Sequence, residues 1–261
     1  MKKLHVILFS ILSIFLLSQS VYAEETTGKG SRLRKFQDDV VIEETNEPLF
    51  DETGLFLDEI EPGFFKRGWK QVVITGDTKA NHVTQNGSLI HFDMPKKRET
   101  YAYIMNTREP ANDMYVEAEF IIDDAYRLEY GVACRVSDDG WYEVRVQTTG
   151  DIREMGSYKI YKYDPQLKIQ KGRNPYVLLH PNHEFYKTVD LKNGYGKRNT
   201  IGISCVDDVI EVYINGVKQE PIKGLTWTDN QFVQGGFGAG AMVYGDFSAA
   251  FDMSYIAAEL E

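Results

Sequence analysis

The stretch NTIGISCVDDVIEVYING, residues 199–216, reads as a strand, a two-residue acidic turn, a second strand and an Asn-Gly turn. Ile201, Ile203 and Cys205 alternate with Gly202, Ser204 and Val206. Past Asp207-Asp208 the alternation resumes, with Ile210, Val212 and Ile214 on one face and Glu211, Tyr213 and Asn215 on the other. Successive side chains of a strand point to opposite faces, so period-two alternation broken by a tight turn predicts an antiparallel hairpin. One apolar face predicts a sheet packed on a core from one side, as in a two-sheet sandwich.

The same grammar runs outward from this hairpin. Candidate strands lie at 69–75, 88–93, 100–106, 114–122, 130–136, 141–147, 157–163, 200–206, 209–215, 235–242 and 248–256. Turn signals separate them, among them Asn86-Gly87, Asp138-Asp139-Gly140, Asn193-Gly194 and Asn215-Gly216. Many short strands at close spacing, with no helical period, predict an all-β, two-sheet antiparallel sandwich over 69–256, with 257–261 as a tail. Residues 164–195 hold Pro165, Pro175 and Pro181 and are too long for a hairpin loop. Such an excursion is where function concentrates.

Lys2 and Lys3 precede an almost wholly apolar run from Leu4 to Leu17, and Val21-Tyr22-Ala23 suits signal peptidase. Residues 1–23 therefore read as a signal peptide, and the apolar run falls short of the ~20 residues of a membrane span. The mature chain is expected to be secreted or periplasmic, without membrane insertion. Residues 24–68 read as a charged lead-in and transition, mobile over 24–47. The net charge of −10 becomes −12 once Lys2 and Lys3 are removed. That acidity argues against a nucleic-acid partner, which needs a basic footprint. Cys134 and Cys205 both fall at apolar strand positions; in an oxidising compartment they form either one bridge or two buried thiols.

Alternation also sorts the remaining strands. With Val132, Cys134, Val136, Val144, Val146 and Ile160 assigned to the core, Arg135, Trp141, Glu143, Arg145, Tyr161 and Tyr213 fall on the outward phase. Aromatic rings offer an apolar platform to sugar C–H faces, and charged groups beside them offer directional hydrogen bonds. These six residues are the candidate ligand site, expected to share one open sheet face; a solvated sheet with cross-strand pairs is the alternative. Glu117 and Glu119 share a face but lack a third acid in register, so they read as solvated strand acids, and no catalytic residue is assigned. His180, His183 and Glu184 lie together around Pro181 in no helical zinc spacing. No metal ligand and no cofactor is assigned, with Ca2+ as an alternative at the acidic turns Asp123-Asp124, Asp138-Asp139 and Asp207-Asp208.

Several runs in order resemble one superfamily: LIHFDMPKKRETYAY (89–103), YVEAEFIID (115–123), YGVACRVSDDGWYEVRV (130–146), SYKIYKYD (157–164), the 199–216 hairpin and GGFGAGAMVYGDFSAAFDMSY (235–255). The chain resembles concanavalin A-like lectins and glucanases, close to exported laminin G-like and 3-keto-disaccharide hydrolase-like domains. The resemblance implies a jelly-roll sandwich and a glycan-binding sheet. The Glu-x-Asp-x-x-Glu run of the laminarinase-type hydrolases is missing. The expected function is an exported carbohydrate-recognition domain, with carbohydrate as partner. A glycoside or 3-keto-disaccharide hydrolase and an extracellular interaction domain without a sugar ligand are the alternatives.

Overall fold

The computed structural model describes residues 55–59, 64–96, 99–180, 185–220 and 226–260. The signal peptide and the mobile lead-in read from residues 1–47 lie outside the described residues. In chain order the strands are β1 (Leu55–Glu59), β2 (Trp69–Thr75), β3 (Val83–Asn86), β4 (Leu89–Met94), β5 (Thr100–Ala111) and β6 (Met114–Ala125). Then come β7 (Leu128–Ser137), β8 (Gly140–Gln147), β9 (Ser157–Tyr163), a short helix α1 (Pro165–Lys171), β10 (Tyr176–Leu178) and β11 (Tyr186–Lys187). The chain closes with β12 (Arg198–Val206), β13 (Val209–Ile214), β14 (Val217–Lys218), β15 (Trp227–Thr228), β16 (Gly235–Val243) and β17 (Ala249–Leu260).

These strands form two antiparallel sheets, a jelly-roll sandwich. The first runs β14-β13-β12-β6-β17-β4-β3, with β1 added on β17 and β15 on β13. The second runs β10-β9-β8-β7-β16-β5-β2, with β11 added on β9. β1 lies antiparallel to the last strand, Leu55 opposite Glu259. The first sheet thus takes in a strand from the stretch read as a transition, and β17 runs on through the predicted tail to Leu260.

The core lies between the sheets and follows the alternation. Ile201 opposes Ile214, Ile203 opposes Val212 and Cys205 opposes Ile210, and all six are buried. Val132, Cys134, Val144, Val146 and Ile160 meet them from the second sheet. Each such aliphatic side chain contributes ~1.5–3 kcal/mol when removed from water. Cys134 on β7 and Cys205 on β12 form a disulfide that ties one sheet to the other, with Cα atoms 6.5 Å apart.

One strand departs from the predicted phase. The β7–β8 register shifts between Cys134 and Ser137, and Arg135 takes φ 53°. This bulge inserts an extra residue and reverses the faces beyond it. Val136, expected in the core, joins Ala133 and Trp141 on the outer face. Arg135, expected on the outer face, turns inward and is 1% exposed.

Candidate functional site

The outer face of the second sheet gathers four of the six candidate residues. Trp141, Glu143 and Arg145 alternate along β8, opposite Tyr163, Tyr161 and Lys159 of β9. Pairs directly opposite share a face. One row across the sheet reads Lys159, Arg145, Gly131, Gly240, Tyr103, so its two central positions carry no side chain. A Cβ on Gly240 would collide with the Tyr103 ring, which lies over it.

Arg145 is the centre of this face and is 3% exposed. Its Nη2 donates to the Tyr103 hydroxyl at 2.8 Å and pairs with Glu143. Its Nη1 lies 3.7 Å from Glu129 and donates to the Met242 sulfur at 3.1 Å. Lys159 donates to the other oxygen of Glu129 at 2.5 Å, and the Trp141 indole donates to Glu143 at 3.0 Å. Over the guanidinium stand three rings: Tyr176 at 4.3 Å, Tyr161 at 4.8 Å and Tyr101 at 5.6 Å. A cation held over aromatic faces is attracted by their quadrupoles, most strongly where water is excluded. Trp141 stacks on Tyr163 at 3.9 Å and meets Tyr103 edge-on.

Burial would lower the Arg145 pKa, but the Glu143 carboxylate, the Tyr103 and Tyr176 phenols and Glu129 outweigh it, so the guanidinium stays charged. Burial is also the main cause that pushes the phenols of Tyr101, Tyr103, Tyr161 and Tyr176 up. They remain protonated hydroxyls at neutral pH.

The expected open face is therefore closed in its middle. Trp141, Glu143 and Arg145 are all buried, and partly exposed rings stand above them, Tyr101, Tyr161 and Tyr176. Tyr176 comes from the 164–195 excursion. Asp164 caps α1 by accepting from the Gln166 amide, Pro165 opens the helix and Gly172 ends it in the left-handed region at φ 60°. The chain then returns along β9 as β10, with Tyr176 opposite Tyr163. The run YDPQLKIQKG held this signal, an Asp cap, a Pro at the first helical position and a terminal Gly. Nothing local marked Tyr176 itself.

The other two candidates lie elsewhere. Tyr213 is on the outward phase of β13, but on the first sheet, opposite Gly202. Its ring packs edge-on against Tyr115 and its hydroxyl donates to Glu211 at 2.7 Å. Arg135 donates to the carbonyls of Asn112 at 2.8 Å, Phe232 at 3.1 Å and Asp207 at 2.7 Å, a tie between three turns. Glu117, read as solvated, is 1% exposed and accepts from the hydroxyls of Tyr115 at 2.8 Å and Tyr255 at 2.9 Å. Glu119 pairs with Arg198 at 2.7 Å. His180 is buried with its ring tilted on Tyr186, while His183 and Glu184 lie outside the described residues. Among the described residues, no three or more His, Cys, Asp or Glu side chains are grouped to hold a metal, and no helix is long and apolar enough to cross a membrane.

No family model and no curated protein matches the sequence. Solved structures do match in shape. The chain is similar to the exoplasmic/lumenal domain of VIP36 in its Ca2+/Man3GlcNAc-bound form, with 11% identity, 81% of this chain and 90% of that one covered, and a TM-score of 0.50. It is similar to a protein of unknown function with a galectin-like fold from Bacillus subtilis, with 10% identity, 79% and 100% coverage and a TM-score of 0.51. It is similar to a native glycosidic hydrolase, with 12% identity, 78% and 95% coverage and a TM-score of 0.51. Identities this low speak to fold alone. With two antiparallel sheets in this order and these neighbours in shape, the chain has the concanavalin A-like lectin and glucanase fold.

Proposed function

We propose that this chain is an exported carbohydrate-recognition domain whose ligand stacks on the tyrosine rim of the second sheet. The observation that carries the reading is the convergence of Tyr101, Tyr161 and Tyr176 on one buried guanidinium. Rings locked from below lose little freedom on meeting a ligand, and preorganisation of this kind favours affinity. Each ring keeps partly exposed surface, which suits contact with sugar C–H groups. The signal-peptide reading of residues 1–23 supports export.

Glu129 and Glu143 are the carboxylates at the centre of this face. Each is buried and bound to a cation, Glu129 to Lys159 and Glu143 to Arg145. A general acid must protonate a leaving oxygen and a nucleophile must reach the anomeric carbon. This enclosure supports binding over cleavage.

A glycan array probed with the purified protein tests the reading. At least one glycan class should bind. Tyr161→Ala and Tyr176→Ala should each weaken it by ~1 kcal/mol, about fivefold in Kd. Absence of any bound glycan, or unchanged affinity in both folded variants, would overturn the reading.

A further inference from the structure

We infer that the ligand of this face is an uncharged glycan, and that Arg145 is a positioning residue for the tyrosine rim rather than a receptor for an anion. The inference rests on the proposed carbohydrate reading and narrows its substrate class. An arginine at the centre of an aromatic site in an acidic protein invites the opposite expectation, a uronic or sulfated sugar held by a charged fork. The contacts of Arg145 argue against it.

Among the described residues, four charged side chains lie buried on this face, and they cancel. Arg145 and Lys159 are opposed by Glu129 and Glu143. Both terminal nitrogens of Arg145 are already engaged, by Glu143 and Tyr103 on one side and by Glu129 and Met242 on the other. The remaining Nε is buried and has no partner among the described residues. The three tyrosines cover the guanidinium face, and the Tyr176 hydroxyl lies 3.3 Å from that of Tyr103.

An anion seeking Arg145 would have to displace Tyr176 and then sit beside two carboxylates. Both steps are unfavourable, the second by like-charge repulsion in a medium of low dielectric. Two charges at the rim offset each other. Lys70 of β2 stands on the same face, opposite Met105, and Glu99 accepts from the Tyr101 hydroxyl at 2.8 Å, one charge of each sign. The chain as a whole carries a surplus of acid, which repels polyanions at long range. What remains for recognition is ring faces and hydroxyls, the chemistry of a neutral sugar.

The test titrates purified protein with two sets of probes, neutral glucan, mannan, galactan and xylan oligosaccharides against oligogalacturonate, alginate and heparin oligosaccharides, at low and high salt. A neutral oligosaccharide should bind, with Kd moving less than about twofold between the two salt conditions, because no interaction between full charges forms. The conservative Arg145→Lys keeps the charge but loses the planar fork. It should weaken the neutral ligand about tenfold while leaving the flat salt response unchanged. Tyr161→Ala, which leaves the buried ion network in place, serves as the second variant and should also weaken the neutral ligand with no change in salt response. Preference for an acidic oligosaccharide, with affinity falling tenfold or more as salt rises, would overturn the inference and leave the carbohydrate reading standing. Absence of binding in both sets would overturn both.

Discussion

The Tyr103 hydroxyl on β5 meets Arg145 Nη2 on β8 at 2.8 Å, although two strands lie between them. On the outer face both side chains reach toward each other over Gly240 of β16 and Gly131 of β7, which occupy the same row. Two positions without side chains leave a channel across the sheet, and a tyrosine and an arginine close it from opposite sides.

Gly240→Ala should therefore damage the site and the fold together. Its Cβ would strike the Tyr103 ring and the Ala102 carbonyl. Overpacking of this kind costs ~1–3 kcal/mol. Denaturant unfolding should show that loss, and ligand titration should show weakened binding even under conditions where the variant is fully folded.

The disulfide between Cys134 and Cys205 closes a long segment, with 71 positions separating the two cysteines. In the chain-entropy account, removing such a link costs ~4 kcal/mol. The double variant Cys134→Ala, Cys205→Ala should lose stability of that order in chemical denaturation. Its ligand affinity should hold, because the bridge lies in the core and the tyrosine rim lies on the other side of the sheet.

Arg135→Ala should destabilise without touching recognition. The guanidinium satisfies the carbonyls of Asn112, Phe232 and Asp207, and truncation leaves these partly buried acceptors without a donor. A loss of ~3 kcal/mol is expected from several orphaned polar groups together. Thermal unfolding reads it. A selective loss of glycan affinity with unchanged stability would contradict the structural role.

Stability should fall in acid partly through Asp229. Burial raises its pKa, but the Lys162 ammonium at 2.5 Å, the Tyr142 hydroxyl at 2.6 Å and the Gln231 amide hold it below the usual value of 3.8. A carboxylate with a depressed folded pKa contributes stability above the unfolded value and loses it as pH falls through the folded one. Asp229→Asn should lower stability at neutral pH and flatten the decline below about pH 4, as read by urea midpoints across that range.

Alternation alone made the sandwich legible. Ile201, Ile203, Cys205, Ile210, Val212 and Ile214 face the core as the 199–216 run predicts, because the strand period is two and the hairpin turn sets the register. The same rule put Trp141, Glu143, Arg145 and Tyr161 on one face, and they share it. Alternation reports inside or outside but not which of two outer faces, so Tyr213 was grouped with residues of the opposite sheet. It also fails silently at a bulge, where one extra residue exchanged Arg135 and Val136. Tyr101, Tyr103 and Tyr176 reached the site only through tertiary structure. Strand order brings β5 beside β16, and the excursion folds back on β9. Side-chain phase is a local property of the backbone, and one sequence run carries it. Which strands become neighbours is decided by long-range pairing and by what each sheet must bury, and no single stretch of sequence holds that information.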